Sequence, residues 1–402
     1  MGRKMKDSGI EWIGEIPEGW EVTKLKYLAT FPIEKNAHID SPYIGLENIE
    51  SWTGKYVSSD SQYDKSQALT FSRNNILFGK LRPYLAKVFC ASNDGCCSSE
   101  FCILNFSSSV NIRYFWNLLI SPTFIDHVTK STYGTKMPRA NTDFIKNICA
   151  PVPPRIEQDR IALYLDASSA KIDSLISETR SSIEEYKKLK QAVITQAVAT
   201  QQCSHIKLKY LMNVIVDCPH ETPTYSFTGN YYVIRTADQA LASLRCDEDM
   251  YRLDASEYKK RTRRLTLDKD DIVYGREGSW GLACLVPQSN KYCLGQRVMQ
   301  FRCNTRLLYP KYAMYALNSE TVYMQGALDT IGSTAPHVNI STICNYLLPV
   351  PALNEQKEIT NYLDAKCAEI AGLIAKKEQL VKELENYKKS LIYEVVTGKR
   401  EV

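Results

Sequence analysis

The sequence predicts an α/β (α+β) protein in which two similar mixed domains are joined by two long antiparallel helices, with pseudo-two-fold internal symmetry. Three observations predict it. One stretch is written twice, so that Pro151-Val152-Pro153 aligns with Pro349-Val350-Pro351, Glu157-Gln158 with Glu355-Gln356, and Tyr164-Leu165-Asp166 with Tyr362-Leu363-Asp364, at a gapless shift of 198. Each copy has a proline-rich entry, which cannot lie inside a helix, and then about forty residues free of proline. The segments before the two copies mix short β-branched or aromatic runs with helical patches, and they too are distantly alike.

In chain order, residues 1–150 form the first domain. Asn75–Phe78 and Phe101–Asn105 read as strands and Val110–Leu119 as a helix. Residues 151–205 form the first helical segment. Its apolar positions Ile172, Ile176, Ile183, Tyr186, Val193 and Ala197 follow the alternating three- and four-residue steps of a coiled-coil seam. A helix of some thirty-five residues would be a rod of roughly 50 Å.

Residues 206–348 form the second domain. It repeats Lys24-Leu25-Lys26-Tyr27-Leu28 as Lys207-Leu208-Lys209-Tyr210-Leu211, and Ile76-Leu77-Phe78-Gly79-Lys80 as Ile272-Val273-Tyr274-Gly275-Arg276. Gly134, Pro138, Asn141 and Ile145 are echoed by Gly332, Pro336, Asn339 and Ile343. Strands are expected at Tyr231–Arg235, Asp271–Tyr274 and Val298–Cys303, and a helix at Pro310–Leu317. Residues 349–402 form the second helical segment, with seam positions Ile370, Ile374, Val381, Leu384, Leu391 and Val395. Gly372 within it would allow a close helix contact. Leu175, Leu189, Leu373 and Leu380 lie off the seam, where a docking partner would need them.

The 402 residues exceed one core, and a hydrophobic content of 44% is that of a globular chain. No apolar leader and no run of eighteen apolar residues occurs, so a soluble cytoplasmic protein is expected. Thirteen cysteines without regular spacing read as reduced thiols. Net charge is +5, and the excess falls outside the two helical segments, each of which balances. Two related domains at a fixed separation suit a ligand that is itself a repeating rod, such as duplex DNA with its turn of about 34 Å.

The opening Lys6-Asp7-Ser8-Gly9-Ile10-Glu11-Trp12-Ile13-Gly14-Glu15-Ile16-Pro17-Glu18-Gly19-Trp20 resembles the N-terminus of specificity subunits of type I restriction-modification enzymes. Tyr43-Ile44-Gly45-Leu46-Glu47-Asn48-Ile49, Lys80-Leu81-Arg82-Pro83-Tyr84 and the twin Pro-Val-Pro … Glu-Gln … Tyr-Leu-Asp helices are similar to that family as well. The resemblance covers essentially the whole chain. It implies two target-recognition domains, each reading half of a bipartite site in double-stranded DNA. It also implies helices that set the spacer and dock two modification (methyltransferase) subunits, through which restriction (translocase/nuclease) subunits join. Adenine methylation and cleavage would then belong to the partners, with S-adenosylmethionine, ATP and Mg, and no cofactor to this chain.

The residues agree that catalysis is not expected here. No phosphate-cradling Gly-x-x-x-x-Gly-Lys-[Ser/Thr] loop occurs, nor an Asn-Pro-Pro-aromatic tetrapeptide to hold a flipped adenine. Cys203/His205 and Cys218/His220 lack finger spacing, so no metal site is expected.

Candidate DNA contacts follow residue chemistry. Lys259, Lys260, Arg261, Arg263 and Arg264 form the densest basic run, suited to phosphate. Lys80, Arg82 and Tyr84, and in the second domain Arg276, Glu277, Ser279 and Trp280, are suited to base readout, or else support their loop from behind. Tyr133, Lys136 and Arg139, with counterparts Ser333, Thr334 and His337, lie in loops that begin with glycine ahead of the long helices. Asn141 and Asn339 are expected to cap the turn that follows.

Overall fold

Both long helices start directly behind their proline entry and run for 44 residues, Arg155–Val198 and Leu353–Val396. At about 1.5 Å per residue each spans about 66 Å. They exceed the expected thirty-five residues because the Glu-Gln and Tyr-Leu-Asp motifs, which break the seam periodicity, are themselves helical. The computed structural model describes residues 3–35, 42–59, 66–134, 136–199, 203–245, 247–278, 280–329 and 337–402. It divides into two compact units, Met1–Thr179 with Gln379–Val402, and Arg180–Glu378, so each unit takes part of both long helices.

In the first unit a four-stranded antiparallel sheet runs in the order Ala29–Thr30, Phe101–Phe106, Ile76–Gly79, Val88–Cys90. Ile76–Gly79 is buried along its whole length, which explains its unbroken apolar sequence. Ile112–Ile120 and Pro122–Lys130 are the domain's helices. Asn111 caps the former by accepting from the Tyr114 N–H, and Pro122 opens the latter. The strand entering the domain, Glu21–Lys24, pairs antiparallel with the strand leaving it, Cys149–Val152. Trp20, Phe78, Tyr114, Phe115 and Phe124 are essentially fully buried in one core. Each such side chain contributes about 1.5–3 kcal/mol relative to exposure.

The same core takes in the helix pair. Ile172 and Ile176 of the first long helix share it with Leu391, Ile392 and Val395 of the second, with Val381 and Leu384 half-buried against it. Lys388 donates to Asp173 at 2.7 Å, and Lys55 adds an ion pair to the same carboxylate at 3.2 Å. Gly398 ends the second long helix at φ +72°, and a Cβ there would run into Pro17 and Trp20.

The second unit repeats the plan. Its four-stranded sheet has the order Met212–Asp217, Val298–Cys303, Ile272–Gly275, Ala283–Leu285, and Ser204–Lys207 pairs with Leu347–Val350 across the domain's entry and exit. Ile194 and Val198 of the first long helix meet Leu363 and Cys367 of the second in one core, with Val193 packed against it, and Lys377 lies 5.7 Å from the Tyr186 ring. In both units rising numbers on one helix meet falling numbers on the other, so the helices pair antiparallel. Ile183 and Ile370 are buried and Ile374 half-buried. Leu175, Leu189 and Leu380 remain exposed, while Leu373 is half-buried. Gly372 differs from expectation: a Cβ there would meet nothing within 4 Å, so no close helix contact explains it.

The described cysteines are all free thiols. Burial pushes Cys97, Cys102, Cys284, Cys293 and Cys303 up to about 12, which keeps them protonated and inert. Among the described residues no group of His, Cys, Asp and Glu gathers at metal-binding distance, and no helix is long and apolar enough to cross a membrane.

Candidate nucleic-acid interface

In the first domain two sequence-distant loops are stitched into one surface. The Lys80 N–H donates to the Glu100 carbonyl at 2.8 Å, and the Lys80 carbonyl accepts from the Ala140 N–H at 2.9 Å. Leu81 bridges Arg139, and the Arg82 N–H donates to the Pro138 carbonyl at 2.8 Å. Arg82 has a left-handed backbone, φ +51°, and is exposed. Tyr84, Tyr133, Lys136, Met137 and Arg139 are exposed beside it, while Lys80 is half-buried. Arg139 is held at 2.6 Å by Glu100, a residue the sequence reading passed over.

The second domain uses the same backbone frame with other side chains. The Arg276 N–H donates to the Arg297 carbonyl at 2.8 Å, the Arg276 carbonyl accepts from the Val338 N–H at 3.2 Å, and Glu277 bridges His337. Lys80 therefore corresponds to Arg276, Leu81 to Glu277, Arg82 to Gly278, Glu100 to Arg297 and Arg139 to His337. Ser279, Ser333 and Thr334 lie outside the described residues.

Three expectations are corrected here. Arg276 is buried, with its guanidinium 3.4 Å from Asp217 and 2.5 Å from Glu277, so it braces the loop from behind instead of facing a base. Trp280 stacks on Tyr323 with ring centres 4.4 Å apart and packs against the second core, so its ring is used within the domain. Arg261 is buried, and its guanidinium donates to the carbonyls of Glu221, Leu294 and Pro219, which removes it from the phosphate-binding set. Lys259, Lys260, Arg263 and Arg264 are exposed, and of these Lys260 pairs with Glu221 at 3.0 Å. A charge run reads as one solvated face, but the helix Ala255–Arg261 buries its last residue on the same side as Tyr258. The asparagines divide: Asn141 accepts from the Asp143 N–H at 2.8 Å, while Asn339 stands at the cap position without a side-chain bond.

The repeated helix motif is a socket for each domain's own helix. The Tyr114 hydroxyl donates to the Pro151 carbonyl at 3.0 Å, and Tyr312 to that of Pro349 at 3.1 Å. Arg113 grips Asp166 and Lys311 grips Asp364 at the equivalent point.

Two domains on one backbone frame, with differing loops and each packed on the same pair of long helices, define an internally duplicated two-domain protein. A sequence model of the type I restriction modification DNA specificity domain matches residues 17–185 and again 218–383, and the chain belongs to that family. It is 22% identical to the type I restriction enzyme MjaVIII specificity subunit of Methanocaldococcus jannaschii, over 96% of this chain and 93% of that one. It is 26% identical to the EcoDI specificity subunit of Escherichia coli, a match spanning 45% of this chain and 42% of that relative. Its fold is shared with a solved chain from a type I R-M system, described for complex assembly and conformational transition, at TM-score 0.74, 19% identity and coverage of 96% of this chain and 99% of that one. It is shared less closely with the HsdS subunit from Thermoanaerobacter tengcongensis, at TM-score 0.52, 18% identity, 96% and 98%.

Proposed function

We propose that each domain, 1–150 and 206–348, reads one half of a bipartite site in double-stranded DNA. The paired helices, 151–205 and 349–402, set the unread spacer and dock two modification subunits. Adenine methylation and cleavage are carried out by modification and restriction subunits, which hold S-adenosylmethionine, ATP and Mg. The observation that carries the reading is the duplicated loop frame: equivalent backbone bonds at Lys80 and Arg276 carry different side chains, as two unlike half-sites require. The basic excess outside the helical segments supports it, because phosphate contacts position a protein on DNA and base contacts specify the sequence.

In this reading Arg82, Tyr84, Lys136 and Arg139 approach bases or backbone in one half, with Lys80 shaping the loop, and Glu277 and His337 do so in the other. The test is a complex reconstituted with the modification subunit and carrying Arg82→Ala with Arg139→Ala. Adenine methylation mapped across a genome is expected to relax in one half of the motif and hold in the other. Relaxation of both halves, or of neither, would reject the assignment of one half-site to each domain.

A further inference from the structure

The first domain places an exposed arginine, Arg82, at the left-handed position of its loop, whereas the second domain has Gly278 there, at φ +69°. The arginine missing from that loop is supplied by the opposing segment. Arg297 occupies the position that corresponds to Glu100, is exposed, and is itself left-handed at φ +69°. A Cβ added to Gly278 would lie 3.6 Å from Arg297 Nη1, so the Arg297 guanidinium covers the spot from which an Arg82-like side chain would depart. A left-handed backbone is costly for a residue other than glycine and persists where its surroundings enforce it. Here the Arg297 carbonyl is held by the N–H groups of Arg276 at 2.8 Å and Glu277 at 3.4 Å, which holds the backbone in place at this position.

We propose that Arg297 is the base-reading arginine of the second domain, the counterpart in function, though not in sequence position, of Arg82 in the first. This rests on the reading of the two domains as DNA-recognition modules. An exposed guanidinium on a rigid backbone is matched to the O6 and N7 acceptors of guanine, which its fork engages bidentately. Glu277 flanks it as an acceptor suited to a cytosine amino group. The exchange also explains why aligned arginines mislead here: Arg276 is aligned with a loop cation, yet is buried against Asp217.

The experiment maps methylated adenines for the reconstituted complex carrying Arg297→Lys or Arg297→Ala. Lysine keeps the charge for phosphate but loses the fork. If Arg297 reads a base, both variants relax one G·C position in a single half of the motif, with discrimination there falling between about five- and a hundred-fold. An unchanged motif in Arg297→Lys, with Arg297→Ala lowering methylation evenly at every site, would make Arg297 a phosphate contact and overturn the proposal. If the alanine chain does not fold, the lysine variant alone decides. A wild-type complex that yields no bipartite motif would reject the reading of the domains themselves, an outcome separate from either of these.

Discussion

The side-chain oxygen of Gln158 accepts the backbone N–H of Asn111 at 2.7 Å, locking the start of a domain helix to the start of the long helix that follows it. The Gln158 amide donates to the Pro153 carbonyl at 2.8 Å, so both the oxygen and the nitrogen of this buried side chain are bonded. Gln356 repeats this with the Tyr309 N–H at 2.7 Å and the carbonyls of Pro351 and Leu307 at 2.8 and 3.0 Å. Truncating either glutamine strands buried donors and acceptors, a loss of about 1–3 kcal/mol. Gln158→Ala and Gln356→Ala are each expected to lower the unfolding temperature measurably, whereas Gln288→Ala, at an exposed position, serves as the check. Unchanged melting in both would mean that the glutamines are not the anchors.

Asp173 gives the helix pair a pH dependence. Burial alone would raise its carboxyl, but the hydrogen bonds and charges of Lys388 and then Lys55 outweigh burial and hold it below the ordinary 3.8. A carboxyl depressed by folding stabilises fully above its unfolded value and loses that contribution as the pH falls through the folded one. Wild type should therefore exceed Asp173→Asn in denaturant midpoint at neutral pH, with the gap closing below about pH 4. A gap independent of pH would place the effect in packing.

The basic run divides by burial. Removing the charges of Lys259, Arg263 and Arg264 should weaken binding of the assembled complex to all DNA sequences alike. It should also flatten the salt dependence by up to about 0.9 per lost phosphate contact. Arg261→Ala should instead lower stability, because it orphans buried carbonyls. A changed site preference in the triple variant would contradict the phosphate assignment.

Much of the fold is legible in the sequence. Val298–Cys303 and Pro310–Leu317 take the bounds that their residue types predict, and the seam residues fall on alternating steps because helices that pair must bury a stripe. What stayed hidden depends on backbone geometry. Arg261 and Arg263 are alike as letters, but one faces inward. The correspondence of Glu100 with Arg297 is carried by carbonyls that accept the same N–H, and no alignment of side chains records it. The helices run longer than their seam predicts because Gln158 and Asp166 serve the domain's helix, off the seam.

The helices make a length prediction. Four residues inserted at facing points of both helices add one turn of about 5.4 Å. That should lengthen the unread spacer by one to two base pairs at about 3.4 Å each. An unchanged spacer would show that the helices are not the ruler.

The most direct measurement is the map of methylated adenines made by the wild-type chain assembled with its modification subunit. The account predicts one bipartite motif, two short unlike halves around a gap of fixed length. A single uninterrupted motif, or no methylation from a folded and assembled complex, would contradict it.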